Sequence, residues 1–396
     1  MESLMRLLLI VSGSVALKKS FDLLNKLKIN KRNIDCIVTR SGLSLIKSMK
    51  IEDFKNIKIY TDDMQLKDNN RMLHIELSRK ADVVLVYPAS ANIIGKLSNG
   101  IADDLASTTL LASNKQIFIC PAMNVEMWQH FSNQKNIAKL KKNGVNFIGP
   151  IYGNLMCGET GLGRIADSDL IADEINIFFS RKRLLSGMTG IVTAGPTIEP
   201  IDPVRYLSNY SSGRQGYSIA KVLAYMGANV KLISGPSNLM PPTNVDTINV
   251  LTAKEMNEAV FDHLPSDLAI CAAAVSDFRF KNFSLEKIKK NNDKSFSLDT
   301  NPDILYNIGN SAQKRPKLVI GFAAETNRIK YFAKNKLSEK KCDWLLANKI
   351  SKTDSVFGSE YNSIHFFTKK LYEKWPKMSK ILIAKKLNNK ILDFFE

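Results

Sequence analysis

The sequence lacks the runs and clusters that mark several classes of protein. No stretch approaches the roughly 18 consecutive apolar residues of a membrane-spanning helix. The five cysteines are odd in number and include no CxxC pair, which argues against a disulfide framework and against a zinc ribbon. The four histidines are far apart and no HExxH motif occurs, so no structural metal site is expected. With 44% hydrophobic and 24% charged residues, the chain is predicted to be globular and cytoplasmic, in a reducing compartment.

The N-terminal segment lacks two further signals: the long apolar core of a signal peptide and a glycine-rich nucleotide-binding motif. The unbroken apolar run there is only Leu7–Val11, and Lys18 and Lys19 follow soon after, so we interpret it as a buried strand rather than a signal peptide. Neither a P-loop nor a GxGxxG motif follows this strand. A Walker-type NTPase and an ordinary dinucleotide-dependent dehydrogenase are therefore disfavoured.

The chain is strongly basic: 56 Lys and Arg residues against 38 Asp and Glu residues give a net charge of +18. Such a charge is compatible with nucleic acids, with membrane surfaces and with small anionic substrates. The basic residues are spread along the chain, and no basic stripe is interleaved with aromatic residues. We therefore favour a solvated basic surface that attracts small anions, with no nucleic-acid or membrane partner, and keep nucleic-acid binding as the alternative.

Short apolar runs alternate with segments of helical spacing, which predicts two α/β halves with parallel sheets. The predicted strands are Leu4–Val11, Asp35–Thr39, Val83–Tyr87 and Gln116–Cys120, then Thr189–Thr193, Asn229–Ser234, Leu268–Ala274 and Lys317–Phe322. Helices are predicted over Leu17–Leu27 and Ser218–Met226. The boundary is placed within Ser180–Gly190, giving domains of residues 1–185 and 187–396. The expected fold is two Rossmann-like three-layer domains, the first flavodoxin-like and the second nucleotide-binding.

Small polar residues follow the predicted strands of the first half. They form the segments Gly13-Ser14, Pro88–Asn92 and Ser107–Thr109. In open α/β sheets, ligands bind beyond the carboxyl ends of the strands. Hydroxyl groups and backbone N–H groups at helix N-termini suit a phosphate monoester, although ordinary turns and helix caps use the same residue types.

Three segments of the first half carry a resemblance to a known family. They are Pro88–Asn92 continuing to Ala112, then Pro121-Ala122-Met123-Asn124 with Met127-Trp128, and lastly Gly153–Arg164 with Cys157-Gly158-Glu159. In order and spacing they resemble the flavin-dependent cysteine decarboxylases, among them phosphopantothenoylcysteine decarboxylase. His74 matches the active-site histidine of that family.

The resemblance implies bound FMN and oxidative decarboxylation of a cysteinyl substrate through a thioaldehyde. On this interpretation Cys157 protonates the product enethiolate, Asn124 holds the substrate carboxylate and His74 assists the loss of CO2. Residues Leu155–Arg164 are expected to form a mobile loop. The residues implied to bind the flavin are Gly13, Ser14, Thr39, Ser90, Asn92, Ser107, Thr108 and Met123.

Two positions depart from the decarboxylase pattern. Ile93 replaces the usual Thr after the Pro-Ala-Ser-Ala-Asn segment, and Ile165-Ala166-Asp167 replaces the usual Met-x-Glu after Arg164. Neither departure removes a proposed catalytic group. They leave open an alternative in which the first half is a flavin-free scaffold for the second.

The second half contains a longer and more specific signature. The run Thr193–Arg205 ends a predicted strand and continues through Asn209-Tyr210-Ser211-Ser212-Gly213-Arg214-Gln215-Gly216 into a helix. Further matches are Ala272–Phe278, Glu286–Lys290, residues 301–304, residues 321–326, and Lys336 with Lys340 and Asp343. Together they are similar to phosphopantothenate–cysteine ligase, a family commonly fused to the decarboxylase. Gln215 departs from the usual Met of that loop.

The ligase resemblance implies a CTP-dependent amide synthesis through an acyl-cytidylate, with Mg²⁺ bound through the nucleotide phosphates. Lys287 would support the reacting α-phosphate and Asn209 would contact the acyl-cytidylate. The residues implied to bind CTP are Ser212, Gly213, Ala273, Ala274, Asp277, Lys287, Asn301, Pro302, Asp303, Ile304, Phe322, Lys336 and Lys340. The residue types do not themselves select CTP over ATP.

Together the two resemblances imply an enzyme of coenzyme A biosynthesis that makes 4′-phosphopantetheine from 4′-phosphopantothenate and cysteine. Ligation would come first and decarboxylation second. They also imply a homo-oligomer, with trimers through the first half and dimers through the second closing into a dodecamer, and with flavin at a subunit interface.

Overall fold

The structure, a computed structural model, describes residues 5–27, 33–48, 57–67, 72–179, 184–289, 296–350 and 359–396. The chain divides into two compact units, Met1–Ser180 and Arg181–Glu396. Residues 180–183 of the predicted boundary lie outside the described residues, as do residue 4 of the first predicted strand and residue 290 of the ligase motif. The assignment of residues 1–185 and 187–396 to two functional domains stays a prediction.

The first unit alternates strands with helices along the chain. Its elements are β1 (Leu7–Val11), a 3₁₀ helix (Val15–Lys19), α1 (Ser20–Lys26), β2 (Ile34–Val38), α2 (Arg40–Ser48), β3 (Lys58–Tyr60), α3 (Asp62–Lys67), α4 (Leu73–Lys80), β4 (Val83–Ala89), α5 (Ala91–Asn99), α6 (Leu105–Ala112), β5 (Gln116–Pro121), α7 (Val125–Gln129), α8 (Phe131–Lys142), β6 (Asn146–Phe147), β7 (Ile151–Asn154), β8 (Thr160–Arg164) and α9 (Ser168–Phe179).

The main sheet of the first unit is parallel, with strand order β3-β2-β1-β4-β5-β6. Leu8 and Ile10 of β1 pack into a core shared with α4, α5, α6 and α8. On the opposite face Phe118 of β5 contacts Phe178 of α9, with ring centroids 5.0 Å apart. This is a Rossmann-type three-layer arrangement, whose order reverses between β1 and β4, the place where such sheets bind ligands.

The second unit repeats the pattern and extends it. Its elements are β9 (Thr189–Ala194), β10 (Ile198–Pro200), β11 (Tyr206–Ser208), α10 (Arg214–Tyr225), β12 (Asn229–Ser234), β13 (Asp246–Asn249), α11 (Ala253–Asp262), β14 (Leu268–Cys271), β15 (Phe278–Phe280), β16 (Leu298–Thr300), α12 (Ile304–Gly309), β17 (Leu318–Glu325), α13 (Ile329–Glu339), β18 (Trp344–Lys349), β19 (Tyr361–Thr368), β20 (Tyr372–Ser379) and α14 (Lys380–Phe395).

The main sheet of this unit has eight strands in the order β13-β12-β9-β14-β17-β18-β19-β20. The strands from β13 to β18 are parallel, and β19 and β20 are added antiparallel. Alternate residues such as Ile191 and Val319 pack against α11, α12 and α13 in one core. The order of strands reverses between β9 and β14, so the second ligand crevice is expected there. The expected α/β class is confirmed for both units.

Several features differ from the sequence-based expectation. The main sheets contain six strands that the apolar runs did not indicate: β3 and β6 in the first unit, and β13, β18, β19 and β20 in the second. Residues 155–164, expected to be a mobile loop, are a turn followed by β8, which pairs with β7 as an antiparallel hairpin. In the part of the chain that the structure describes, no helix is both long and apolar enough to cross a membrane.

Candidate functional site

A cavity of about 400 Å³ opens in the first unit beside the end of β1. Its wall comes from three segments: the turn after β1, the segment after β5, and the β7–β8 hairpin. Asn124 and Cys157, two predicted catalytic residues, line this cavity, as do Ser14 and Met123, two predicted flavin-binding residues. Segments more than 100 residues apart in sequence are therefore brought together at the predicted edge of the sheet.

Two glycines allow the β7–β8 hairpin to lie directly against the segment after β5. A Cβ atom on Gly161 would lie 2.7 Å from Cγ2 of Val125, and one on Gly163 would overlap the carbonyl oxygen of Met123. Gly163 has φ +142°, a conformation that other residues rarely adopt. The N–H of Met123 donates to the carbonyl oxygen of Gly163 at 3.1 Å, and the N–H of Val125 donates to Oε2 of Glu159 at 3.3 Å. The hairpin is thus hydrogen-bonded to both sides of Asn124.

Asn124 is the N-cap of α7, which fixes its side chain. Its Oδ1 accepts a hydrogen bond from the N–H of Met127 at 2.9 Å. Within the described residues the Nδ2 group of Asn124 has no protein acceptor. Because the cap uses Oδ1, the remaining donor is oriented and suits an anionic group such as a carboxylate.

Cys157 differs from the other cysteines in its exposure. It lies at the tip of the hairpin, where the N–H of Gly158 donates to the carbonyl oxygen of Leu155 at 3.1 Å. Burial raises the pKa of the Cys342 thiol to about 12 and also raises that of the buried Cys36. Those thiols are screened from solvent, whereas the thiol of Cys157 can meet a ligand in the cavity.

The strand-order reversal of the first unit offers a helix N-terminus for an anion. The hydroxyl of Ser12 donates to the carbonyl oxygen of Pro88 at 2.8 Å and accepts from the N–H of Ser90 at 2.9 Å, which joins the ends of β1 and β4. Ser90 is the N-cap of α5, but its side chain makes no capping hydrogen bond. The first N–H groups of this helix, including that of the exposed Asn92, therefore remain available to a phosphate.

The other predicted flavin-binding residues have different surroundings. Ser107 is fully buried and forms a capping box with Asp104, so its hydroxyl and its N–H are both used within α6. The hydroxyl of Thr108 donates to the carbonyl oxygen of Asp104 at 2.7 Å. Thr39 accepts from the N–H of Gly42 at 3.3 Å, at the start of α2. The flavin-binding roles of these residues, and of Gly13 beside Ser14, remain predictions.

His74 is not among the residues that line the cavity. It lies in the first turn of α4, half-buried. The neighbouring side chains of Met72 and Ile75 are exposed by 67% and 38%. His74 thus lies on a partly apolar surface and is not part of the cavity wall that contains Asn124 and Cys157.

The two departures from the decarboxylase pattern have structural explanations. Ile93 is 3% exposed and packs into the core beneath α5, so it faces the sheet. Ile165 is also 3% exposed and lines the cavity. Asp167 accepts from Nη2 of Arg164 at 2.5 Å, so a carboxylate partner for this arginine is retained.

In the second unit three glycines meet where β9 and β12 end and α10 begins. A Cβ atom on Gly213 would lie 3.2 Å from the nitrogen of Gly195, and one on Gly195 would lie 2.9 Å from the carbonyl oxygen of Gly235. Gly213 is the N-cap of α10. Because it has no side chain, it cannot accept hydrogen bonds from the first N–H groups of the helix, which stay available to a ligand. The neighbouring carbonyl oxygen of Ser212 accepts from Oγ of Ser237 at 3.0 Å. This backbone cradle suits phosphate groups.

The end of β14 continues this crevice. The N–H groups of Ala273 and Ala274 donate to Oγ1 of Thr193 and to the carbonyl oxygen of Gly195, at 3.2 and 2.8 Å. Asn209, exposed after β11, donates from Nδ2 to the carbonyl oxygen of Val275 at 2.8 Å.

The segment that contains Asn301 is hydrogen-bonded to the residues that follow β14. The Nδ2 of Asn301 donates to the carbonyl oxygen of Ser276, and its N–H donates to that of Asp277, both at 2.9 Å. Asp277 is itself exposed. The predicted ligase residues 209, 273, 274, 277 and 301 therefore all lie in, or are hydrogen-bonded to, the segment from residue 273 to residue 277 that follows β14.

Two of the three predicted phosphate-binding lysines, Lys336 and Lys340, are paired with a carboxylate. Lys336 lies 2.8 Å from Oε1 of Glu325. Lys340 pairs with Asp303, whose Oδ1 caps α12 by accepting from the N–H of Tyr306 at 2.9 Å. Burial lowers the pKa of Lys340, but the hydrogen bonds and charge attractions from Asp303 and Glu339 together outweigh burial, so the net pKa is raised. A nucleotide would compete with these carboxylates for the two lysines.

The remaining predicted nucleotide-binding residues lie near these pairs in sequence. Ile304 is buried in the core at the start of α12, and Pro302 and Phe322 are half-buried. Lys287 is exposed, in a segment without helix or strand. Among the described residues, no group of three or more His, Cys, Asp or Glu side chains is placed to hold a metal ion.

Sequence reasoning assigned no role to Asp202, which the structure places next to Lys287 through a backbone contact. Asp202 is 3% exposed and pairs with the guanidinium of Arg205 at 2.5 Å. This ion pair holds the pKa of Asp202 well below its usual range. The opposite charges three residues apart in the Asp202–Arg205 run were the available signal, since a turn brings such residues together.

Comparison with known proteins identifies both units. Residues 1–180 match the flavoprotein family model, and residues 185–395 match the DNA/pantothenate metabolism flavoprotein C-terminal domain. The coenzyme A biosynthesis bifunctional protein CoaBC of Haemophilus influenzae is 37% identical over 388 residues, covering 98% of this chain and 96% of that protein. The CoaBC protein of Bacillus subtilis is 37% identical over 383 residues, covering 95% and 94%.

Among solved structures, the C-terminal domain of a CoaBC protein aligns with 54% of this chain and 98% of its own, at 36% identity and a TM-score of 0.46. Sequence identity extends over both units with nearly complete coverage of each relative. The chain belongs to the family of the coenzyme A biosynthesis bifunctional protein CoaBC.

Proposed function

We propose that this chain catalyses two consecutive steps of coenzyme A biosynthesis. The second unit joins cysteine to 4′-phosphopantothenate with CTP, and the first unit decarboxylates the resulting 4′-phosphopantothenoylcysteine to 4′-phosphopantetheine. The observation that carries the proposal is the meeting of Asn124 and Cys157 in one cavity. Family membership over the full length supports the pairing of this site with a ligase unit.

The residues of the first unit fit FMN. The uncapped N-terminus of α5 beside Ser12 and Ser90 suits its phosphate, and the largely apolar cavity wall suits its ring system. When bound, FMN supplies the two-electron chemistry that the side chains of the protein cannot perform. The chain then supplies orientation and protons: Nδ2 of Asn124 donates to the substrate carboxylate, and Sγ of Cys157 gives a proton to the product.

The ligase reaction concentrates negative charge on the nucleotide triphosphate, so it needs cations and N–H donors. The cradle around Gly213 and the lysines 287, 336 and 340 supply them. Mg²⁺ would bind mainly through the phosphates, since such sites usually take one or two protein ligands. We assign CTP as the nucleotide on the resemblance of the second half to the phosphopantothenate–cysteine ligase family.

The placement of His74 supports assembly of the first unit. Because His74 lies outside the cavity wall of its own chain and beside exposed Met72 and Ile75, we assign it to the active site of a neighbouring copy. A trimer with the flavin between subunits would meet this requirement, and dimers through the second unit would close a dodecamer. Sedimentation analysis of the holoenzyme tests the assembly, and a monomer with full decarboxylase activity would contradict it.

Two assays separate the two activities. Purified protein should show flavin absorbance and release CO2 from 4′-phosphopantothenoylcysteine. Given 4′-phosphopantothenate, cysteine and Mg²⁺, it should release CMP from CTP, with a lower kcat/KM for ATP. CMP release without flavin absorbance would instead support the flavin-free scaffold. Binding to DNA or RNA that weakens steeply with salt, without either activity, would support the nucleic-acid alternative.

A further inference from the structure

The carboxylate of Asp202 is buried in the loop between β10 and β11 and accepts hydrogen bonds on both oxygens. Its Oδ1 accepts from the N–H groups of Val204 and Arg205, each at 2.9 Å. Its Oδ2 accepts from Nε of Arg205 at 3.0 Å and from the N–H of Ile288 at 3.2 Å. One side chain thus bridges two segments that are more than 80 residues apart in sequence.

Asp202 and Arg205 hydrogen-bond to both the N–H and the carbonyl oxygen of Ile288, the residue after Lys287. Asp202 accepts from the N–H of Ile288, and Nη2 of Arg205 donates to its carbonyl oxygen at 2.8 Å. Nearby, the N–H of Ser284 donates to the carbonyl oxygen of Ile201 at 3.1 Å. The segment has neither helix nor strand, so these contacts hold its backbone in place.

We propose that Asp202 is a positioning residue for amide synthesis: through Ile288 it holds the backbone that directs the Lys287 ammonium to the reacting phosphate. The inference rests on the proposed ligase function. Asp202 itself is buried and neutralised by Arg205, so it acts through the neighbouring backbone. A displacement of about 1 Å in a charged group at a reacting centre lowers rates by roughly 100-fold.

The first variant is Asp202→Asn, measured as CTP-dependent CMP release by the full-length holoenzyme. An amide can keep one accepting oxygen, but its NH2 group would face the donors of Arg205 or of Ile288. We expect kcat to fall about 100-fold while the KM for CTP changes less, because the phosphate cradle at α10 is not altered.

A double-mutant cycle separates positioning from a general structural effect. Lys287→Gln alone removes the ammonium group. If Asp202 acts through Lys287, the double variant should be no more than about three-fold slower than Lys287→Gln, because the two losses are not independent. Losses that multiply in the double variant would overturn the proposal, since they would show that Asp202 and Lys287 act separately.

The matched control is Asp267→Asn. Asp267 also accepts a backbone N–H, that of Thr189 at 3.0 Å, but it lies where β9 begins, at the opposite edge of the sheet. Its substitution should leave kcat within about two-fold. An equal loss of kcat in Asp267→Asn and Asp202→Asn would overturn the proposal, because loss of stability would then explain both.

A second variant covers the case in which Asp202→Asn does not fold. Ile288→Pro deletes the N–H that donates to Asp202 and leaves the ion pair with Arg205 in place; it should lower kcat similarly. Wild-type kcat in either folded variant would overturn the positioning role alone. Absence of CMP release by the wild-type chain would instead refute the proposed ligase function, and the inference with it.

Discussion

Gly163→Ala tests whether the position of the Cys157 hairpin controls decarboxylation. In the structure an added Cβ would overlap the carbonyl oxygen of Met123 and approach that of Asn124 to 3.2 Å. To restore ordinary contact distances, β8 must move away from Met123 by about 1 Å. The hydrogen bond from the N–H of Met123 to Gly163 would lengthen or break.

The size of the effect follows from two contributions. The φ of +142° adds roughly 1–3 kcal/mol of backbone strain when Gly163 becomes alanine, which lowers stability. The displacement separates Cys157 from Asn124, and a 1 Å error in placement costs about 100-fold in rate. We therefore expect CO2 release from 4′-phosphopantothenoylcysteine to fall about 100-fold, with CMP release by the second unit unchanged.

Gly100→Ala is the control, because it adds backbone strain without a steric overlap. Gly100 has φ +70°, and an added Cβ there would meet no atom within 4 Å. It ends α5, away from the residues that line the cavity, and should lose stability but retain CO2 release. If Gly163→Ala folds and releases CO2 at the wild-type rate, the docked hairpin does not position the proton donor and the reasoning is wrong.

Three further predictions concern single side chains. His74→Asn should abolish CO2 release and spare amide formation; unchanged CO2 release would remove His74 from the mechanism. Lys287→Gln should lower CMP release by about 100-fold and spare CO2 release from supplied 4′-phosphopantothenoylcysteine; an unchanged rate of CMP release would remove that assignment. Burial lowers the pKa of Lys380 from 10.5 to about 8, so between these pH values the unfolded chain binds more protons than the native one and stability should rise with pH. In denaturant titrations, Lys380→Met should abolish this rise in stability. A rise of equal size in the variant would contradict the lowered pKa of Lys380.

Most of the central parallel strands were predictable because burial on both faces makes them continuous apolar runs, although β18 was not among the predicted strands. Thus β1, β4, β9 and β12 lie within a few residues of their expected ranges. The short edge strand β3 and the outer strand β20 escaped prediction. At the edge of a sheet a strand is less buried, so residues such as Lys58 and Lys374 break the apolar pattern.

The family motifs led us to expect Asn124 and Cys157 in one site, and in the structure both residues line one cavity. Contacts between loops could not be predicted from the sequence in this way. The N–H of Ile288 donates to Asp202 and that of Val125 donates to Glu159, and no periodic pattern relates these residues, because such bonds depend on how loops fold onto one another. His74 is not part of that cavity wall, and its role in the loss of CO2 stays a prediction.

One reaction analysed by mass spectrometry tests both assigned activities together. Purified holoenzyme is mixed with 4′-phosphopantothenate, cysteine, CTP and Mg²⁺. We predict that 4′-phosphopantetheine forms, with CMP and CO2 released in equal amounts. Accumulation of 4′-phosphopantothenoylcysteine would contradict the function assigned to the first unit, and unchanged substrates would contradict the assignment of both activities to this chain.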